Sequence, residues 1–174
     1  GVQMINLEHL KELTLSNSQI TGFGLSGLCA PQLEIVHLSY CKRPPISGLL
    51  DILSNCCSKL KEINLSMTEI PGEGLSGLCA PQLEILNLSD CFNLTDSGLL
   101  DILCNCGSNL KVLRCSTLKK LKLSHTQIIG EGLSGLCAPQ LEILDLIVCS
   151  NLTDAGLLYI LSTCSSKLRE LHLH

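Results

Sequence analysis

The sequence has few aromatic residues and no excess of positive charge. Its 174 residues include two Phe, two Tyr and no Trp, so the core has to be built from Leu, Ile, Val, Ala and Cys. The net charge is -4 and the pI is near 5.7. This excludes the basic stripe that displaces counterions from nucleic-acid phosphates. We therefore expect a layered aliphatic core and no nucleic-acid partner.

Signals for membranes and secretion are also missing. No apolar run approaches the roughly 20 residues that a membrane helix needs. The first ten residues, GVQMINLEHL, lack the basic start, the apolar stretch and the cleavage site of a secretory signal. We expect no membrane partner.

Motifs for catalysis or metal binding are missing as well. The glycine-rich GEGLSGL segments are not followed by the GK[ST] of a phosphate loop, and no HExxH or spaced pair of CxxC motifs is present. The histidines have no ligand spacing: His9, His37, His125, His172 and His174. We predict no enzyme, no catalytic residue, no cofactor and no metal site.

The dominant feature of the sequence is an internal repeat. GLSGLCAPQLEI occurs unchanged at residues 24–35, 74–85 and 132–143, which is typical of a chain built from stacked units. Short units of 23 residues begin at Leu10, Leu60 and Leu118, long units of 27 residues begin at Leu33, Leu83 and Leu141, and a partial unit begins at Leu168. We predict a single domain over residues 1–174.

Each unit opens with LxxLxLSx and a small residue, and we number the positions of the unit from its opening leucine. Alternation of apolar and polar residues indicates a short strand whose leucines point inward and whose other side chains point outward. We expect these strands to be parallel and about 4.8 Å apart. The small ninth residue is expected to hydrogen-bond the backbone where the strand ends, at Ser18, Cys41, Thr68, Cys91, Thr126 and Cys149.

After the strand the two kinds of unit differ. The long unit continues as NLTDSGLLDILCNCGSN, which predicts a helix with Thr95 or Asp96 as its N-cap. The short unit, IPGEGLSGLCAPQ, has room for a single turn of 3₁₀ or α-helix. Longer helices on alternate coils widen the outer surface, so we expect an α/β solenoid with its parallel strands on the concave face and its helices on the convex face.

One segment breaks this alternation. Eight residues, 110–117, lie between the point where the second long unit should end and Leu118. They are too few to complete a coil. We expect either a bulge on the rim or a competition between LKVLRCS and LKKLKLS for one strand position; a splicing irregularity is the simpler explanation.

The opening pattern is that of leucine-rich repeats, and the long unit is similar to the cysteine-containing repeat of F-box proteins. The residues that carry this resemblance are Cys91, Leu94, Thr95, Asp96, Gly98, Leu99, Leu100 and Cys106, and again Cys149, Leu152, Thr153, Asp154, Gly156, Leu157, Leu158 and Cys164. The resemblance implies a right-handed horseshoe, and often the substrate-binding arm of a ubiquitin ligase. Alternating unit types also resemble ribonuclease inhibitor, whose units are longer. A ligase role would require an F-box segment encoded upstream.

Nine of the twelve cysteines fall into three columns that recur on alternate coils. Members of a column are therefore about 10 Å apart, whereas a disulfide needs Cα atoms within about 7 Å. We expect buried, reduced thiols and hence a cytoplasmic or nuclear protein. An extracellular location is the less favoured alternative.

The outward positions that vary among otherwise identical repeats are the candidate partner-binding residues. The fifth and eighth positions vary most, and both are expected on the concave face, where rigid strands present them at little entropic cost. The candidates are His37, Tyr40, Asn64, Met67, Asn87, Asp90, Lys122, His125 and Asp145. Neutral drift explains any single position equally well. Ile35, Ile85 and Ile143, at the third position, form either an exposed apolar row or half-buried contacts between coils.

These observations predict a non-enzymatic scaffold whose partner is another protein. One hypothesis is the substrate-recognition part of an SCF-type ubiquitin ligase. Another is a free-standing inhibitor, and a third is an extracellular, immune-type receptor. Neither end of the repeat array has a polar cap, so we expect an array that continues beyond these residues or self-association through its ends.

Overall fold

A computed structural model describes residues 4–19, 27–41, 58–70, 78, 80–104 and 113–174. Its strands are β1 (Ile5–Asn6), β2 (Glu12–Thr14), β3 (Leu28–Cys29), β4 (Ile35–His37), β5 (Glu62–Asn64), β6 (Ile85–Asn87), β7 (Leu113–Arg114), β8 (Lys120–Lys122), β9 (Leu136–Cys137), β10 (Ile143–Asp145) and β11 (Glu170–His172). Seven of them, β2, β4, β5, β6, β8, β10 and β11, form one parallel sheet in chain order. The predicted parallel strands are confirmed, and the arrangement fits an α/β solenoid.

Equivalent positions of successive units are aligned throughout this sheet. Glu12 is paired with Ile35, Leu13 with Val36, and so on to β11 without a shift in register. Backbone hydrogen bonds between coils extend beyond the strands, because the eighth residue of each unit still donates its N–H to the next coil, as Tyr40 does to the Ser66 carbonyl at 3.1 Å. Backbone groups thus bond adjacent coils to each other along the sheet.

The core lies on the inner side of this sheet. The first, fourth and sixth residues of the five internal units are at most 3% exposed, as the leucine pattern predicts. They are Leu33, Val36, Leu38, Leu60, Ile63, Leu65, Leu83, Leu86, Leu88, Leu118, Leu121, Leu123, Leu141, Leu144 and Leu146. Each layer packs against the layers before and after it, so the described residues share one continuous core.

The segment expected to be an insert belongs partly to the repeat. Strand β7 pairs with β9 in a small second sheet, just as β1 pairs with β3. Leu113 stands five residues before Leu118, as Leu136 stands five residues before Leu141. Residues 113–117 therefore take the place that LCAPQ takes in other units. Within the described part of the segment, β7 and β8 lie in different sheets and do not compete for one strand position. Residues 110–112 lie outside the described residues.

The helices of the described residues follow the strands of the long units. They are α1 (Asp96–Cys104) and α2 (Asp154–Cys164), whereas the short unit from Leu118 has a 3₁₀ helix at Glu131–Leu133; a second 3₁₀ helix covers Ser165–Lys167. Thr95 is the N-cap of α1, since its hydroxyl accepts the Gly98 N–H at 3.4 Å. The helix expected in the first long unit falls on residues 42–57, and the turns of the first two short units fall on 20–26 and 71–77, all outside the described residues.

Five of the six ninth-position side chains bond the backbone at the strand ends, as expected, and Ser18 makes no such bond with the described residues. The Thr68 hydroxyl donates to the Leu65 carbonyl at 2.5 Å, and the Cys91 thiol of the next coil donates to the same carbonyl at 3.2 Å. Thr126 and Cys149 repeat this arrangement on the Leu123 carbonyl at 2.7 and 3.1 Å. A threonine of a short unit and a cysteine of the following long unit thus share one acceptor.

Asp96 does not cap its own helix but bonds the next coil. Its Oδ1 accepts the N–H of Ile129 at 2.9 Å, and its Oδ2 accepts those of Gly130 and Gly132 at 2.9 and 2.8 Å. The equivalent residue of the last long unit is Asp154, whose exposed carboxylate has no hydrogen-bond partner among the described residues. One carboxylate therefore joins a long unit to the short unit after it.

The next junction, between the short unit from Leu118 and the long unit from Leu141, requires two glycines. Gly130 has a positive φ of 92°, and a Cβ on Gly156 would lie 2.1 Å from the Ile129 carbonyl oxygen. A side chain at residue 156 would force the two coils apart.

We expect Asp96→Ala to lower the free energy of unfolding by about 2–3 kcal/mol, because three backbone N–H groups lose a charged acceptor. Asp154→Ala is the matched control and should cost less than about 1 kcal/mol, which corresponds to the charge at a helix N-terminus alone. Urea unfolding followed by circular dichroism measures both values. Equal losses in the two variants would contradict the role given to Asp96.

Candidate protein-binding surface

The outward side chains of the main sheet form two straight rows, which we call the strand face. The third-position row is Glu12, Ile35, Glu62, Ile85, Lys120, Ile143 and Glu170, and the fifth-position row is Thr14, His37, Asn64, Asn87, Lys122, Asp145 and His172. Neighbours in a row are about 4.8 Å apart because the strands are paired in register. The spacing is fixed by the backbone, so the strand face is rigid.

The centre of the strand face carries two lysines without an anionic partner. Lys120 and Lys122 are half-buried on β8, and neither forms an ion pair with another described residue. Half-buried Ile85 and Ile143 flank Lys120 in its row. An open depression of about 340 Å³ runs across this region from Glu62 to His172. A carboxylate entering the depression between the isoleucines would meet both ammonium groups.

Acidic groups on either side of this centre lie beside histidines. His37 Nε2 lies 2.9 Å from Glu62 Oε1, and His172 Nε2 lies 3.5 Å from Glu170 Oε2. The two carboxylates are therefore engaged within the strand face, whereas the central lysines are not.

Three of the predicted binding residues have a local structural role. The Asn64 side-chain oxygen accepts the backbone N–H of Ser66 at 3.0 Å, and Asn87 and Asp145 accept the N–H two residues later in the same way, at 3.1 Å each. These oxygens turn the chain at the strand end. The scaffold thus explains Asn or Asp at these positions without a partner.

The eighth-position residues lie at the edge of the sheet, beyond the strands, and all have left-handed backbone conformations. Their φ angles are 57° at Asn17, 61° at Tyr40, 57° at Met67, 59° at Asp90, 55° at His125 and 52° at Val148. Four of them line a second cavity, of about 230 Å³, that shares no residue with the central depression. The predicted strip is therefore two surfaces: His37, Asn64, Asn87, Lys122 and Asp145 on the strand face, and Tyr40, Met67, Asp90 and His125 at the edge.

Two features of the strand face were missed by reading the sequence. Lys120 was overlooked because only the isoleucines of the long units were considered at the third position, although that position reads Glu or Lys in the short units. The expected apolar row of Ile35, Ile85 and Ile143 is interrupted, since Glu62 and Lys120 stand between the isoleucines. The isoleucines are half-buried.

The cysteines of the described residues are free thiols, and the most buried ones are chemically protected. Burial raises the pKa of the Cys91 thiol and that of the Cys164 thiol above the usual value, so the reactive thiolate is scarce at neutral pH. Among the residues that the structure describes, no group of His, Cys, Asp and Glu is arranged to hold a metal ion, and no helix is long and apolar enough to span a membrane.

Comparison with known proteins identifies the repeat. A family model described as Leucine Rich repeat matches residues 6–29, 56–79 and 114–137. These matches support a leucine-rich repeat protein, and such repeats typically bind other proteins. The matches fall mainly on the short units. The resemblance to F-box repeats, in contrast, lies in the long units. No curated protein matches the chain.

Alkylation by iodoacetamide at pH 8 under native conditions should modify Cys91 and Cys164 at least about tenfold more slowly than half-buried Cys29 and Cys137, because the raised pKa keeps the buried thiols protonated and burial blocks access. Site-resolved mass spectrometry over a time course measures the four rates. In denaturant the difference should disappear. Similar native rates at all four sites would show that the two buried thiols are accessible.

Proposed function

We propose that this leucine-rich repeat chain is a non-enzymatic scaffold that binds another protein across its strand face. The observation that carries the proposal is the unpaired lysine pair Lys120 and Lys122 between half-buried Ile85 and Ile143. Apolar contacts around a charged anchor, on strands that lose no freedom on binding, are what a protein interface requires. The complementary partner presents an acidic side chain with apolar neighbours.

The proposed architecture is a right-handed horseshoe with the strand face on its concave side. The in-register strands and the depression across them support it. A concave surface brings residues of several coils onto one partner, so contacts from Glu62 to His172 would act together.

The more specific proposal is that the bound protein is a substrate of an SCF-type ubiquitin ligase, with this array as the recognition part. The resemblance of the long units to F-box repeats supports it. The alternative is a free-standing inhibitor or recognition receptor, which would bind the same surface without leading to degradation. Cys91 and Cys164 are buried free thiols and not disulfides. Reduced cysteines favour a cytoplasmic or nuclear location.

The double variant Lys120→Glu/Lys122→Glu tests the scaffold. Reversing both charges should place carboxylates opposite the acidic group of the partner. We expect the amount of partner recovered by affinity purification, measured by quantitative mass spectrometry, to fall at least about tenfold. Lys59→Glu/Lys167→Glu is the matched control, because among the described residues these exposed lysines bond the neutral side chains of Gln32 and Gln140 and the net charge changes equally. Loss in both variants would indicate a charge effect; retention in both would reject the strand face.

The ligase proposal makes a separate prediction about turnover. In cells that express the full-length protein, the captured partner should have a shorter half-life than in cells that express the Lys120→Glu/Lys122→Glu variant, and proteasome inhibition should remove the difference. Cycloheximide chase measures both half-lives. An unchanged half-life with intact binding would favour the inhibitor or receptor alternative.

A further inference from the structure

A cleft at the edge of the sheet combines exposed apolar side chains with carboxylates. We call it the rim cleft; it has a volume of about 230 Å³ and is lined by Asn17, Tyr40, Met67, Thr68, Glu69, Asp90 and Phe92. Tyr40, Met67 and Phe92 are 56%, 39% and 61% exposed. They come from three adjacent coils and form an apolar cluster on a protein that has only four aromatic residues. Such clusters on a surface mark interaction sites.

Two of these residues, Tyr40 and Met67, have a strained backbone conformation. All eighth-position residues are left-handed, a conformation that Asn, Asp and His adopt more readily than other residues with side chains. Asn17, Asp90 and His125 match this preference. Tyr40, Met67 and Val148 do not, so each carries strain that an asparagine at the same position would relieve. Strained residues with large exposed side chains indicate a role other than folding.

The carboxylates of the rim cleft are free to receive a cation. The side-chain carboxylates of Glu69 and Asp90 form no hydrogen bond or ion pair with another described residue, and both lie beside the apolar side chains of the cleft. Glu69 is exposed and Asp90 is half-buried. Electrostatic complementarity therefore requires a positive charge next to the apolar group that enters the cleft.

We propose that the rim cleft seats a protein segment in which a large apolar side chain stands next to a lysine or arginine. The apolar side chain contacts Tyr40, Met67 and Phe92, and the cation pairs with Asp90 and Glu69. This inference rests on the proposed function as a protein-binding scaffold and adds a second contact of opposite charge preference. The strand face takes an acidic group at its centre, and the rim cleft takes a basic one at the edge.

A displayed library of random 12-residue peptides, selected on the whole chain, supplies the probes. We expect enriched peptides with Leu, Met, Phe or Trp next to Lys or Arg. Synthetic copies should bind Met67→Asn and Asp90→Asn at least about tenfold more weakly than the parent chain. Asp90→Asn keeps the left-handed preference and removes only the charge.

Val148→Asn is the matched control, since Val148 is an exposed eighth-position residue outside the cleft. Met67→Asn and Val148→Asn should both raise the melting temperature by about 2–4 °C, because each relieves the strain of a left-handed backbone. Only Met67→Asn should lower the affinity for the peptide. A variant that is more stable yet binds less cannot be explained by unfolding.

The chain has two methionines, Met4 and Met67, so ¹³C-methyl labelling of methionine gives one reporter in the cleft and one outside it. Titration with an enriched peptide should shift the Met67 methyl signal and leave Met4 unchanged. The inference is overturned if no peptide of this composition is enriched, or if the enriched peptides bind Met67→Asn normally. Peptides that lose affinity only for Lys120→Glu/Lys122→Glu would overturn the rim cleft while leaving the strand-face proposal intact.

Discussion

Pairing of parallel strands without any shift of register is the constraint on which the rest of the molecule depends. It places each side chain about 4.8 Å from the side chain at the same position of the next unit, so like residues would stack on like residues. At the second position this would be a column of equal charges. The chain avoids it by alternating the two unit types: Lys61 lies 3.1 Å from Glu34, and Lys119 lies 3.0 Å from Glu84. The hydrogen bond from Lys61 and its charge lower the pKa of Glu34.

Because short and long units alternate, there are two kinds of contact between coils. Short units supply a threonine and long units supply a cysteine to one shared carbonyl, as Thr68 and Cys91 do at Leu65. Long units then supply Asp96 to the backbone of the next short unit. The junction from a short to a long unit therefore uses a threonine and a cysteine, and the junction from a long to a short unit uses an aspartate.

The sequence was sufficient for those features that a periodic pattern encodes. The strands, the inward leucines and the bonds of the ninth residue all follow from residue types that recur at fixed spacing. The left-handed eighth position could not be predicted, because Tyr40, Met67 and Val148 are not the residues that favour it and no glycine marks it. The partner of Asp96 was missed because its three donors are backbone groups about 33 residues further on. The fifth-position residues are the last residues of the strands of the main sheet, and their binding role stays a prediction. Segment 113–117 was misread, although Leu113 has the spacing of Leu136.

The complementary pairing of short and long units restricts how such an array can change its length. Removing one short unit, residues 60–82, would bring Glu34 beside Glu84, Ile35 beside Ile85 and Cys41 beside Cys91. Removing residues 33–82 instead would bring Lys11 beside Glu84, which reproduces the neighbour that Glu34 provides now. Loss of a short and long unit together therefore preserves these contacts, whereas loss of one unit does not, and GLSGLCAPQLEI recurs once per pair of units, at residues 24–35, 74–85 and 132–143.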